Sequence, residues 1–182
     1  MMTAAAETAA APTLPDADRL RLAADFVREQ DAAALLPLLL PGLDGPEVRS
    51  LVERCRFAHA ALLVFPPDLE ALRAELADCG LACDDPPTPS VVVRGRLAAR
   101  HRLDPAGLDV AILRPKVLGL DGDRRVVEVF ALAVPPGAEP AGIAEYERAR
   151  QHEAHLAFEV LAPDPLVLQG LRAILLLSLI HI

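Results

Sequence analysis

Apolar residues recur at helical spacing in the first third of the chain. This periodicity predicts three short helices, over residues 16–30, 31–36 and 47–54. Prolines 37 and 41 are expected to break the chain after the second helix. None of these stretches contains a motif that suggests chemistry. We therefore expect a helical extension that shields a sheet edge or forms a homodimer contact.

From residue 56 onward, compact apolar runs are separated by prolines, glycines and aspartates that favour turns. The pattern predicts, in order, a strand over 57–65, a helix over 69–79, and strands over 90–97, 108–113 and 125–134. This βαβββ order indicates an α+β fold with a mixed, curved sheet. A short helix over 141–151 is expected to follow the module.

The start of this module is repeated later in the chain. His155 lies 96 positions after His59, and the Pro-Asp pair at 67–68 recurs without a gap at 163–164. A strand over 154–161 and a helical run from residue 166 are predicted there. We expect a second module of which the chain carries only the first strand and helix, with the two opening strands close together near a pseudo-twofold axis.

These patterns divide the chain into six segments. They are a disordered lead (1–15), the helical extension (16–55), the first βαβββ module (56–136), a linker with a short helix (137–153), a partial second module (154–177) and a tail (178–182). The tail is an apolar run without a cap or charge cluster, and it looks like a translated sequencing adapter rather than native sequence. A short native strand or helix packed into a core is the alternative.

Composition narrows the classes of partner. The chain has 182 residues, is 53% hydrophobic and carries a net charge of −8, which argues against disorder and against binding to nucleic acid or anionic membranes. The apolar run over residues 35–40 is far shorter than the ~20 residues that span a bilayer. Three cysteines are too few for a disulfide framework. We expect a cytoplasmic protein with free thiols.

Two of the five histidines occupy unusual positions. His59 and His155 each lie inside an apolar strand, whereas His101 and His152 are expected to be solvated. A single strand histidine would be interpreted as a core ring satisfied by hydrogen bonds. Two at equivalent positions of a repeat favour a shared role, because twofold packing would bring both rings towards one axis.

Glu128 is the third unusual residue, because it interrupts the apolar strand Val126–Phe130. A carboxylate in a strand core is costly unless it is paired or bound to a cation. If Val127 and Val129 face one layer of the fold, alternation places Glu128 on the opposite face. The alternative is an edge strand on which that face is solvated.

The βαβββ order, a strand histidine near its start, a glutamate in its fourth strand and a second module that opens with another strand histidine together resemble the vicinal oxygen chelate superfamily. This superfamily includes glyoxalase I, extradiol dioxygenases and fosfomycin- or bleomycin-resistance proteins. The segments FAHAALLVFPPDLEALRAEL, RRVVEVFAL and EAHLAFEVLAPD carry the resemblance, which covers about residues 56–176. The helical extension, the helical linker and the truncated second module depart from the family pattern.

The resemblance implies that His59, Glu128 and His155 are three of four metal ligands and that Glu128 also takes part in catalysis. The fourth ligand, a strand glutamate, would lie beyond the end of the chain. Two imidazoles and one carboxylate suit Fe(II), and also Zn, Ni, Co or Mn, with coordination positions left open. If the three residues form a site, their ligand atoms should lie within about 6 Å of one another.

The implied function is that of a metal-dependent enzyme, a lyase, isomerase or dioxygenase, acting on a small substrate with vicinal oxygens. The alternative is a metal-free module of the same fold that sequesters a small molecule, as the bleomycin-resistance branch does, commonly as a homodimer. The three residues discriminate between these alternatives, because sequestration needs no set of metal ligands.

Overall fold

Three helices precede the sheet. In the computed structural model, which describes residues 13–43, 45–135 and 141–179, they are α1 (Asp16–Glu29), α2 (Ala32–Leu39) and α3 (Gly45–Arg54). The prediction that α2 ends before Pro37 was wrong. Pro37 removes one helical donor, but the carbonyl that loses its partner belongs to Ala33, which is exposed and can bind water instead.

A mixed sheet of six strands confirms the α+β class. The strands are β1 (Cys55–Val64), β2 (Thr88–Pro89), β3 (Val110–Leu113), β4 (Lys116–Leu118), β5 (Arg124–Leu132) and β6 (His155–Val160). Their order is β2-β3-β5-β1-β6, with β4 pairing separately with β5. The sheet is mixed because β1 runs parallel to β5 and antiparallel to β6.

Four further helices connect or follow the strands, and one of them corrects the predicted module. They are α4 (Leu69–Asp78), α5 (Val91–His101), α6 (Ala141–Arg150) and α7 (Pro165–Leu179). The strand predicted over residues 90–97 is wrong, because α5 occupies this segment. The Ser90 hydroxyl accepts a hydrogen bond from the Val93 N–H and caps the helix, and Val93 and Leu97 are buried at helical spacing.

The sheet is covered on both faces by helices. Leu20 of α1 and Leu72 of α4 pack against one face, and Leu97 of α5 packs against the other. Along β5, Val127 and Val129 belong to the first layer and Phe130 to the second. The predicted alternation is therefore confirmed, and it places Glu128 on the face that α5 covers.

The two opening strands of the predicted repeat are neighbours in the sheet, as expected. His59 pairs with Ala157, and Ala61 pairs with His155. The repeat offset of 96 residues relates His59 to His155 and Ala61 to Ala157, so the two pairs are equivalent under the repeat. This register is the one expected if a local twofold axis passes through the Ala60–Leu156 pair. The pairing supports an internal repeat that shares one sheet.

Some of the predicted segments lie partly outside the described residues. These are residues 1–12 of the predicted disordered lead, 44 of the helical extension, 136 of the first module, 137–140 of the linker and 180–182 of the tail. The three cysteines are free, as expected. Within the described residues, no helix combines the length and the apolarity needed to cross a membrane.

Candidate metal site

Three adjacent strands bring the predicted site residues together. His59 lies on β1, Glu128 on β5 and His155 on β6. Ala61 of β1 is the register partner both of Glu128 on one side and of His155 on the other. His59 precedes Ala61 by two residues and therefore shares its face. The three polar side chains thus surround a small alanine on one face of the sheet.

The distances agree with a common binding site. The His59 Nε2 atom lies 3.8 Å from Glu128 Oε2, and the His155 Nε2 atom lies 3.9 Å from the same oxygen. The two imidazole centroids are 5.5 Å apart. One ligand atom from each residue lies within 4.8 Å of the others, which is inside the expected limit of about 6 Å.

Exposure increases across the site from β5 to β6. The Glu128 side chain is 13% exposed, that of His59 is 28% exposed and that of His155 is 43% exposed. The alternative interpretation of Glu128, on a solvated edge strand, is wrong, because β5 lies inside the sheet between β3 and β1. The site is buried at the carboxylate and reached by solvent at His155.

Arg114, which the sequence did not point to, forms an ion pair with one of the two oxygens of the Glu128 carboxylate. Its Nε and Nη2 atoms each lie 2.9 Å from Glu128 Oε1. Its Nη1 atom donates a hydrogen bond of 3.3 Å to the Thr88 hydroxyl. Oε1 is therefore held by the guanidinium, while Oε2 faces the two imidazoles. A basic residue directly after a predicted strand was the only signal in the sequence.

His59 is held in the form that binds metals. Burial lowers the pKa of His59. The Glu128 carboxylate opposes this effect, and the charges of His155 and Arg114 reinforce it. The imidazole is therefore neutral at neutral pH. Its Nε2 atom is buried and, among the described residues, has no hydrogen-bond partner. A buried polar atom without a partner is costly unless a ligand satisfies it.

His155 is oriented by a backbone carbonyl two residues earlier in the chain. Its Nδ1 atom lies 2.9 Å from the carbonyl oxygen of Glu153. A carbonyl only accepts hydrogen bonds, so this contact assigns the proton to Nδ1 and leaves the Nε2 lone pair directed towards Glu128. A second hydrogen bond that fixes the tautomer is typical of metal-binding histidines.

The donor set fits a divalent cation. Two imidazoles and one carboxylate oxygen, gathered on one face and open on the His155 side, suit Fe, Zn, Ni, Co or Mn with further positions available. The residues His59, Glu128 and His155 can therefore hold a metal ion. Bonds of about 2.0–2.2 Å place ligand atoms roughly 3–3.5 Å apart. The two histidine–glutamate distances of 3.8 and 3.9 Å are close to this range, while ligand atoms as far apart as 4.8 Å would have to approach by about 1 Å or more.

A second polar cluster lies between α5 and α6, and it corrects the expectation that His101 is solvated, because the side chain of His101 is 15% exposed. His152 is exposed, as expected. The His101 Nε2 atom lies 2.6 Å from Glu147 Oε1, and the His152 Nδ1 atom lies 3.2 Å from Glu147 Oε2. Arg100 donates to the same carboxylate. Burial raises the pKa of Glu147, but the hydrogen bonds from His101, His152 and Arg100 outweigh it and lower the pKa. This carboxylate is already saturated by cationic and imidazole donors.

Comparison with known proteins adds no further constraint on the site. No family model, curated protein or solved structure was found to match the chain.

Proposed function

We propose that the protein binds one divalent metal ion through His59, Glu128 and His155 and is an enzyme of the vicinal oxygen chelate type. The substrate is a small molecule with two neighbouring oxygens. The single observation that carries the proposal is the convergence of the three side chains, from three strands, to ligand atoms within 4.8 Å. The fixed tautomer of His155 and the unpartnered Nε2 of His59 support it.

The residues have distinct proposed roles. His59 and His155 are neutral ligands, and Glu128 supplies the single negative charge. Bound there, a divalent ion would act as a Lewis acid towards adjacent substrate oxygens. Arg114 orients the Glu128 carboxylate by occupying Oε1. The oxygen Oε2 stays available to bind the ion or to accept a proton from a substrate that enters on the exposed His155 side.

A metal titration tests this proposal directly. Metal-free protein titrated with Co²⁺ is expected to develop visible absorption that saturates at one equivalent. The same endpoint is expected for Zn²⁺ when it competes with Co²⁺. The variant His101→Ala is the matched control, because His101 contacts Glu147 rather than the site, and it should bind as the unmodified chain does. Absence of a saturable endpoint would contradict the proposal.

One observation favours the alternative function, a metal-free module that sequesters a small molecule. The Glu128 charge is already balanced by Arg114 without any ion. Under this alternative, Zn²⁺ would leave the midpoint of thermal unfolding unchanged. Under the metal proposal, an ion at about 100 times its dissociation constant stabilises the folded state by about 2.7 kcal/mol and raises the midpoint. Homodimerisation, which the alternative also predicts, is measured separately by sedimentation.

A further inference from the structure

Glu153 is a buried carboxylate outside the proposed ligand set. Its side chain is 1% exposed. Arg96 Nη1 lies 3.1 Å from its Oε2 atom, and Arg100 donates to its Oε1 atom from Nη1 at 3.2 Å and from Nη2. Both arginines belong to α5. A carboxylate buried to this degree stays in place only while its charge partners do.

The backbone of the same residue contacts the proposed site. The Glu153 carbonyl oxygen is the acceptor that fixes the proton of His155 on Nδ1. Residue 153 lies in the tight turn between α6 and β6, where Gln151 has a φ of 49° and its carbonyl accepts a hydrogen bond of 2.9 Å from the Ala154 N–H. The side chain of Glu153 is therefore held to α5 by two ion pairs, while its backbone carbonyl contacts the imidazole of His155.

We propose that Glu153 is a positioning residue for His155. The two arginines of α5 hold its carboxylate, this anchorage fixes the carbonyl, and the carbonyl sets the tautomer and orientation of the imidazole. Glu153 touches neither substrate nor ion. The consequence for metal affinity rests on the proposed function, but the effect on the imidazole tautomer does not.

The proposal differs from a purely structural role of the same ion pairs. Arg100 also binds Glu147 of α6, so the network fastens α5 to α6 whatever happens at His155. Loss of a purely structural network would lower stability and leave the protonated nitrogen of His155 unchanged. The tautomer therefore separates the two roles.

The experiment uses the whole metal-free chain labelled with ¹⁵N, at about pH 8, where imidazole rings are neutral. Long-range ¹H–¹⁵N correlation spectra report which nitrogen of each histidine carries the proton. In the unmodified chain, His155 is expected to be protonated on Nδ1 alone. In Glu153→Gln, the neutral amide binds the arginines more weakly, and a mixture of both tautomers is expected.

Glu159→Gln is the matched control. Glu159 lies on β6, the strand that carries His155, and pairs with Arg56. Its side chain is 53% exposed and does not contact the site. This variant should keep the His155 tautomer. Protonation of His155 on Nε2 in the unmodified chain, or an unchanged tautomer in folded Glu153→Gln, would overturn the proposal.

A second variant covers the case in which Glu153→Gln does not fold. Arg96 is 59% exposed and contacts only one oxygen of Glu153. The variant Arg96→Gln therefore removes one of the two arginines that hold the Glu153 carboxylate, at little cost to the core. A smaller shift in the same direction is expected, and an unchanged tautomer in this variant would also overturn the proposal.

Metal affinity provides the second readout. If the unmodified chain binds Co²⁺, Glu153→Gln is expected to weaken binding by roughly tenfold, as loss of a group that orients a ligand does. An unchanged affinity would overturn the positioning role. If the unmodified chain binds no Co²⁺, the proposed function fails, and the tautomer of the metal-free chain still decides the role of Glu153.

Discussion

Replacement of Asp16 by asparagine is expected to lower the free energy of unfolding by about 3 kcal/mol at neutral pH. The Asp16 carboxylate is 10% exposed and joins three parts of the fold. It accepts hydrogen bonds from Arg148 of α6 at 2.8 and 3.0 Å, from Arg19 at 2.9 Å and from the Phe65 N–H at 2.8 Å. An amide leaves two guanidinium groups without a counter-charge. Urea denaturation at neutral pH measures the loss.

The effect should depend on pH. Burial raises the pKa of Asp16, but the hydrogen bonds from Arg148 and Phe65 and the charges of Arg148 and Arg19 lower it, so that it lies below its ordinary value. A carboxyl with a lowered pKa stabilises the fold above its pKa in the unfolded chain, about 4, and this contribution is lost as pH falls through the folded value. The difference between the two chains should therefore shrink below about pH 4.

Asp18→Asn is the matched control for this prediction. Asp18 lies in the same first turn of α1 and forms a 2.9 Å ion pair with Arg21, but its side chain is 49% exposed. Ion pairs of this kind contribute less than about 1 kcal/mol. Equal losses for the two variants, or a difference at about pH 3 as large as at neutral pH, would contradict the role assigned to Asp16.

The sheet was predictable where the pattern of alternation was strong. In β5, the residues Val127 and Val129 define one buried face, and the carboxylate of Glu128 then had to lie on the other. The repeat supplied the pairing of β1 with β6, because equivalent histidines in neighbouring antiparallel strands lie symmetrically about one axis. Local periodicity and internal symmetry were enough to place the three residues near one another, whereas their role as ligands was implied by the family resemblance.

The segment over residues 90–97 was mispredicted because β-branched residues favour strands. Val91 and Val92 are more than 60% exposed, so their strand propensity is not supported by packing in a sheet. Burial of Val93 and Leu97 on one helical stripe and the cap at Ser90 outweigh it. Tertiary packing therefore decided between a strand and a helix in this segment. The sequence alone did not show which of its apolar side chains would be buried.

The groups around the candidate ligands were missed for the same physical reason. Arg114 contacts Glu128 because β3 pairs with β5, where Leu113 lies opposite Val129. Arg96 reaches the turn before His155 only because α5 is a helix that presents it there. Contacts between residues distant in sequence depend on the orientation of whole elements, and one wrongly assigned element removes all of them.

Replacement of His59 by leucine is expected to separate function from stability. The variant should bind Co²⁺ at least about 100-fold more weakly, a loss of about 2.8 kcal/mol, because one of three ligands is removed. In the metal-free state it should be more stable by about 1 kcal/mol. The Nε2 atom of His59 is buried without a hydrogen-bond partner among the described residues, and an apolar side chain removes that cost. Isothermal titration and urea denaturation measure the two effects.

His101→Leu is the control with the opposite expected sign. The ring of His101 is satisfied by Glu147 at 2.6 Å, so its loss removes a partner from a buried carboxylate and should destabilise the fold while Co²⁺ affinity stays unchanged. This contrast tests the alternative that His59 is an ordinary core histidine. A structural histidine would make His59→Leu behave as His101→Leu does, with reduced stability and no effect on the metal. Stabilisation together with loss of binding is the result that only a ligand position explains, since selection for stability alone would not keep an unpartnered ring nitrogen inside the sheet.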